Sequence, residues 1–134
     1  MKKKIIIIIF IIATIICILV KSYYDFFISM ENLPEGEFLC SSESPDGTYE
    51  IKIYRCNGGA TVDYSIRGEL IEKDKFKSKN IYWSYRESDA KVEWVNDYTV
   101  IINGKMLNVQ YDKYDFRRED DKEVISSSNL PNYP

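Results

Sequence analysis

The stretch 111–118 holds the densest group of side chains that could bind a ligand. Its carboxylates, Asp112 and Asp115, are of the kind that bind a cation, and Arg117 carries the planar, charged donor group that binds an anion. The same pattern is also typical of a strand end with paired charges and with Tyr114 and Phe116 in the core. We favour that structural interpretation and keep Asp112, Asp115 and Arg117 as candidate partner-binding residues.

Aromatic residues form a second candidate surface. Tyr82, Trp83, Tyr85 and Trp94 could build a stacking platform for a sugar or a peptide. The alternative, which we favour, is that the tryptophans lie in the core and the tyrosines cover the faces of a sheet. The candidate partner surface that results has six members: Tyr82, Tyr85, Arg86, Asp112, Asp115 and Arg117.

The sequence indicates no catalytic, cofactor-binding or metal-ligating residue. It contains no histidine, which excludes Ser-His-Asp and Cys-His mechanisms and histidine metal sites. The glycine-rich stretch 57–61 lacks the lysine and the following helix of a phosphate-binding loop. The acidic run 119–121 lacks the alternate spacing and the central glycine of a calcium loop. We therefore expect no cofactor.

Charge is distributed unevenly along the chain. Four of the 18 basic residues and one of the 21 acidic residues lie in the first 29 positions, so the remainder carries a net charge of −6. Nucleic-acid binding needs a basic face, so this acidic remainder excludes a nucleic-acid partner.

Residues 1–29 are predicted to form a signal anchor with one transmembrane helix. The sixteen residues 5–20 are uncharged and follow three lysines. As a helix they span about 24 Å, against roughly 30 Å of hydrocarbon, and Lys4 and Lys21 can snorkel across the difference. A cleaved signal and a lipoprotein signal ending at Cys17 are alternatives, although Ile16 stands where a small residue is needed. The positive-inside rule predicts a single-pass protein of the cell membrane, with a cytoplasmic N-terminus and the C-terminal domain outside.

Residues 30–118 are predicted to form a mainly β, antiparallel meander or sandwich-like domain of six or seven strands, with one helical turn near 30–33. Apolar and polar residues alternate repeatedly, and Val62, Tyr64 and Ile66 are the apolar positions of one predicted strand. The stretch 98–102 is apolar on both faces and is expected to be covered on both sides. Asn103-Gly104 predicts a type I′ hairpin with Val100 opposite Leu107 and Tyr98 opposite Val109. The tail 119–134 is predicted to be disordered.

A disulfide between Cys40 and Cys56 is disfavoured. A tight turn with Ser44 opposite Gly47 would place Cys40 opposite Ile51, five residues or about 17 Å along the strand from Cys56. A disulfide needs Cα atoms within about 7 Å. The disulfide can form only if the first strand bends away or pairs elsewhere.

A series of short strings over 33–118 resembles the domain of unknown function 5412, found in small membrane-anchored or lipoprotein-like proteins of Gram-positive bacteria. The strings, in order, are Leu33-Pro34 with Gly36, Ser44-Pro-Asp-Gly-Thr-Tyr49, Asn57-Gly-Gly-Ala-Thr61, Tyr64-Ser-Ile-Arg-Gly-Glu69, Asn80-Ile-Tyr-Trp-Ser-Tyr-Arg86, Val92-Glu-Trp94, Ile102-Asn-Gly104 and Asp112-Lys-Tyr-Asp-Phe-Arg117. The resemblance implies a location and a fold and brings no activity with it. Cys40 and Cys56 are not part of that pattern, which argues further against a structural disulfide between them.

The sequence therefore predicts a membrane-anchored, extracytoplasmic β domain that binds a protein, a cell-wall component or another envelope partner. One alternative is an enzyme that works through carboxylates or Arg and Tyr side chains. Another is an immunity or protective protein.

Overall fold

A computed structural model describes residues 1–121 of the chain. The chain divides into two compact units, Met1–Asn32 and a second that begins at Leu33. The first unit consists of helix α1 (Lys2–Ile28) and a short 3-10 turn (Met30–Asn32), the helical turn that the sequence predicts. Over Lys2–Phe27, α1 is long and apolar enough to cross a membrane.

Two side-chain hydrogen bonds pair polar groups within the first unit. The Thr14 hydroxyl donates to the Phe10 carbonyl at 2.9 Å, four residues earlier in the helix. At the C-terminal end, the Asn32 amide donates to the Phe26 carbonyl at 3.1 Å. Both contacts satisfy backbone or hydroxyl groups that apolar surroundings would otherwise leave unpaired.

The described part of the second unit, up to residue 121, is mainly β, as the sequence predicts, and contains two sheets. Its strands are β1 (Glu37–Glu43), β2 (Tyr49–Cys56), β3 (Ser65–Glu72), β4 (Lys77–Tyr85), β5 (Val92–Trp94), β6 (Thr99–Ile102), β7 (Lys105–Asn108) and β8 (Tyr114–Asp115). The larger sheet has the order β1-β2-β3-β4-β8 and the smaller the order β5-β6-β7. All pairs are antiparallel except β4 and β8, which run parallel. Short 3-10 turns lie at Lys73–Lys75 and Phe116–Asp121.

The core lies between the two sheets. The larger sheet contributes Ile51, Ile53, Ile66 and Tyr82, and the smaller contributes Val100, Ile102 and Leu107, all at most 2% exposed. Burial of each such side chain is worth about 1.5–3 kcal/mol before the entropy of ordering is counted. The indole of Trp94 donates to the Ser42 hydroxyl at 3.1 Å and links β5 to β1.

The hairpin between β6 and β7 has the predicted register. Val100 lies opposite Leu107, and the Val109 amide donates to the Tyr98 carbonyl at 2.8 Å. Asn103 and Gly104 both have positive φ, 46° and 79°, as a type I′ turn requires. The hairpin prediction is confirmed.

The predicted turn at Ser44–Gly47 forms, since the Gly47 amide donates to the Ser44 carbonyl at 2.9 Å, but the predicted register of β1 against β2 is wrong by two residues. The Ser44 amide donates to the Tyr49 carbonyl at 2.8 Å, so the loop is longer than a two-residue turn, and Cys40 lies opposite Ile53. The longer loop exists because side chains inside it form their own hydrogen bonds, as described below. All three cysteines, Cys17, Cys40 and Cys56, are free thiols.

The strands covered on both faces are β3, where residues 65–68 are all buried, and β4, rather than the predicted stretch 98–102. Ile81–Ser84 are buried at four successive positions, whereas the residues of β6 alternate between half-buried and buried. A register shift opposite Gly68 and Glu69 adds an extra residue to β4. Gly68 makes this packing possible, since a Cβ at that position would lie only 2.8 Å from the Cβ of Tyr82.

Two further differences concern the boundaries of elements. Strand β3 begins at Ser65, and the predicted strand residues Val62 and Tyr64 lie before it and are more than two-fifths exposed. Of the tail predicted to be disordered, residues 119–121 continue a 3-10 turn and the remainder lies outside the described residues.

Candidate functional site

A row of side chains crosses the face of the larger sheet that is turned away from the core, here called the distal face. Phe38, Tyr54, Arg67, Trp83 and Asp115 lie directly opposite one another on β1, β2, β3, β4 and β8. Directly opposed residues share a face of a sheet, so pairing brings these five together although they span almost 80 positions of sequence.

Arg67 holds the centre of the row. Its guanidinium donates to the Asn80 side-chain oxygen at 2.9 Å and to the Glu35 carbonyl at 2.6 Å. It also lies 4.0 Å from the ring centroid of Tyr54, a cation–π contact. Only 8% of Arg67 is exposed, and Glu69 Oε2, 3.8 Å from Arg67 Nη1, supplies the opposite charge that a buried cation needs. These contacts make Arg67 a structural clamp that fixes the segment before β1 on the distal face.

Three aromatic rings gather where β4 and β8 end. Phe116 stacks on Tyr85 with ring centroids 5.6 Å apart and also contacts Trp83 at 6.3 Å. Trp83 is buried, while Tyr85 and Phe116 are half-buried. We call Tyr85, Arg86 and Phe116 the aromatic edge.

Arg86 adds a cation to the aromatic edge. Its guanidinium carbon lies 5.7 Å from the ring centroid of Tyr85, and its side chain is 77% exposed. Arg86 Nε lies 3.5 Å from Asp63 Oδ2, a solvent-exposed ion pair that holds the arginine only weakly. The edge therefore offers two apolar ring surfaces beside an accessible positive charge.

Asp115 and Arg117 form a closed pair beside this edge. Arg117 Nε and Nη2 donate to the Asp115 carboxylate at 2.9 and 2.6 Å, and the Arg117 backbone amide donates to it at 3.0 Å. The Asp115 side chain is 6% exposed. Because Arg117 occupies both of its oxygens, Asp115 fixes the turn that carries Phe116 rather than binding a cation.

Two of the six candidate residues do not join the edge. Tyr82 is completely buried on the core face, where its hydroxyl donates to Glu87 Oε2 at 2.7 Å, and burial raises its pKa. This corrects its place in the candidate surface, because a partner cannot reach it. Asp112 accepts the backbone amide of Asn108 at 2.8 Å and so closes the turn after β7. Tyr85, Arg86, Asp115 and Arg117 are brought together.

Sequence reasoning missed two aromatic residues. Phe116 was placed in the core, yet it is half-buried and forms part of the aromatic edge. Phe76, at the turn between β3 and β4, is 97% exposed. The signal that could have revealed Phe76 is a lone aromatic residue among the four lysines of the stretch 73–79.

Over residues 1–121, the fold defines a class of protein in which one helix long and apolar enough to cross a membrane precedes a two-sheet β domain. Among residues 1–121, no three cysteine or carboxylate side chains are placed to hold a metal ion together. The chain belongs to a family of unknown function (DUF5412), whose model matches residues 1–119. No curated protein and no solved structure matches the chain significantly.

Proposed function

We propose that this protein is a membrane-tethered binding domain that contacts a protein or cell-wall partner through its aromatic edge on the outer side of the cell membrane. The carrying observation is the stack of Tyr85 on Phe116 with the exposed guanidinium of Arg86 against it. Half-buried rings held in place lose little entropy on binding, and aromatic residues and arginine are the side chains most enriched in binding hot spots.

The distribution of charge around α1 supports the outward orientation. Lys2, Lys3 and Lys4 precede the apolar stretch, while Lys21 is the only lysine near its other end. The flank richer in lysine stays in the cytoplasm. The β domain then lies on the opposite side.

The edge favours a partner that carries anionic groups beside an apolar or sugar surface. Arg86 supplies the cation and the rings of Tyr85 and Phe116 supply the apolar contact. The carboxylates of the candidate set are already engaged, Asp115 by Arg117 and Asp112 by the Asn108 amide. Binding rather than carboxylate catalysis is the chemistry that this arrangement supports.

Protease treatment of intact cells tests the orientation. We expect an added protease to remove the β domain by cleavage in the linker after Ser29, leaving α1 in the membrane. Cells opened before treatment provide the control. A β domain that is protected in intact cells and cleaved only after lysis would contradict the outward orientation.

Photo-crosslinking in intact cells tests the binding surface. A photo-reactive amino acid at the exposed Ser88, two residues from Arg86, is compared with one at the exposed Val95 in the turn after β5. We expect a crosslinked product from position 88 only, and an approximately tenfold lower yield in Arg86→Ala and Tyr85→Ala chains. Equal yields from both positions, or a yield unchanged by both substitutions, would overturn the assignment of the edge.

A further inference from the structure

The turn between β3 and β4 presents an aromatic ring to solvent at one end of the larger sheet. Phe76 is 97% exposed and has a φ of 50°, in the left-handed region that disfavours residues with a Cβ. No described side chain forms a ring contact with it. The fold therefore gains no packing from this phenylalanine.

Lysines surround Phe76 in a domain that is acidic overall. The stretch 73–79, here called the lysine tip, contains four lysines and one aspartate. Lys73 pairs with Glu43, and Lys75 Nζ lies 2.9 Å from Glu72 Oε1. Lys77 and Lys79 are exposed, and neither forms an ion pair within residues 1–121. The tip thus combines one apolar ring with these two lysines and one exposed aspartate, Asp74, and its charge is net positive.

We propose that the lysine tip docks on the anionic bilayer that holds α1, with Phe76 in the interfacial layer and Lys77 and Lys79 at the headgroups. A single ring flanked by lysines suits a lipid interface, which accepts an apolar side chain without needing a shaped pocket. The inference rests on the membrane tether of the proposed function and is independent of the aromatic edge.

The tether supplies the proximity that such weak docking requires. A lone ring and two lysines give only a small free energy of binding, and linkage through α1 turns docking into an intramolecular event.

Fluorine NMR on the full-length chain in vesicles tests the proposal. Trifluoromethyl-phenylalanine replaces Phe76 or, as a matched control, Tyr111, which is 80% exposed and lies outside the tip. Spin-labelled lipid should broaden the signal at position 76 in vesicles with anionic lipid, and should leave the signal at 111 sharp. In a Lys77→Glu, Lys79→Glu chain the docked fraction should fall at least about fivefold.

Each contrary result has its own meaning. Equal broadening at positions 76 and 111, or broadening that persists after charge reversal and in neutral vesicles, overturns the docking of the tip. An unbroadened signal in a chain that resists alkaline carbonate extraction also overturns docking and leaves the tether intact. Extraction of the chain from the vesicles by carbonate would overturn both the membrane tether and the docking of the tip. The aromatic edge is tested separately, by photo-crosslinking at position 88.

Discussion

Two turns lie side by side at the same end of the larger sheet and differ in how their residues are used. The turn between β1 and β2 spans residues 44–48, and the turn between β3 and β4 spans residues 73–76. They are in contact, since the Lys73 amide donates to the Thr48 carbonyl at 3.1 Å. Each contains a left-handed residue, Gly47 with φ 76° in the first and Phe76 with φ 50° in the second.

In the first turn, the polar side chains hydrogen-bond to one another and to the backbone. Asp46 accepts hydrogen bonds from the Ser44 hydroxyl at 2.7 Å and from the amide and hydroxyl of Thr48 at 3.0 and 2.8 Å. The Ser44 hydroxyl in turn accepts the Tyr49 amide at 3.0 Å, and Asp97 accepts the Asp46 amide at 3.0 Å. These bonds account for the Ser-Pro-Asp-Gly-Thr-Tyr string as a structural motif.

The second turn places a large side chain where the first has glycine. A left-handed conformation costs a residue with a Cβ about 1–2 kcal/mol. Because the ring of Phe76 is exposed, burial does not offset this cost. Positions that break a local rule without a structural gain are where a function is expected. The comparison therefore assigns the first turn to folding and supports the docking role that we propose for the second.

Ser44→Ala should have the largest effect, because it leaves the buried end of the first turn unsatisfied. Ser44 is 4% exposed, and its loss removes the partners of the Tyr49 amide and of Asp46. We expect the free energy of unfolding to fall by about 2 kcal/mol. Urea unfolding, followed by tryptophan fluorescence, measures the change. An unchanged midpoint would show that the first turn is not held by its side chains.

Gly47→Ala should have a smaller effect of backbone origin. No heavy atom lies within 4 Å of the added Cβ, so the cost is conformational and should be about 1 kcal/mol. Gly36→Ala provides a contrast. Gly36 also has a positive φ, but there the added Cβ would lie 2.7 Å from Cys56 Sγ, so a steric clash adds to the conformational cost. If Gly47→Ala is neutral, the turn tolerates a side chain and the comparison between the two turns weakens.

The pH dependence of stability should show the smallest effect. Hydrogen bonds from Ser44 and Thr48 hold the pKa of Asp46 below its usual range. A carboxylate whose pKa is lower in the folded state stabilises the fold above its unfolded pKa of about 3.9, and this contribution is lost as the pH falls through the folded value. The stability difference between wild type and Asp46→Asn should therefore shrink below about pH 4. Unfolding midpoints from pH 7 to pH 3 that run parallel would contradict this assignment.

Local rules explain the parts of the fold that the sequence predicts correctly. The uncharged stretch 5–20 requires a helix, and Asn103-Gly104 selects one turn type and thereby the register of its hairpin. The register of the first turn was missed because Asp46 bonds to Ser44 and Thr48 and lengthens the loop.

Contacts between distant segments explain what was missed in the site. Aromatic residues occupy both faces of β4, so alternation alone does not tell which face meets the core, and Tyr82 was assigned to the surface although it is buried. The parallel pairing of β8 with β4 brings Phe116 onto Tyr85, and no local pattern encodes that pairing. The aromatic edge therefore required the folded structure.

Replacement of Phe76 by glycine tests most directly whether the second turn serves binding rather than folding. The two tryptophans of the chain, Trp83 and Trp94, both report on the β domain, so urea unfolding of the full-length Phe76→Gly chain in detergent can be followed by their fluorescence. Relief of the left-handed conformation, less the backbone entropy of glycine, predicts a free energy of unfolding that is higher by about 0.5–1 kcal/mol. A decrease in stability would show that Phe76 serves the fold and would contradict the account.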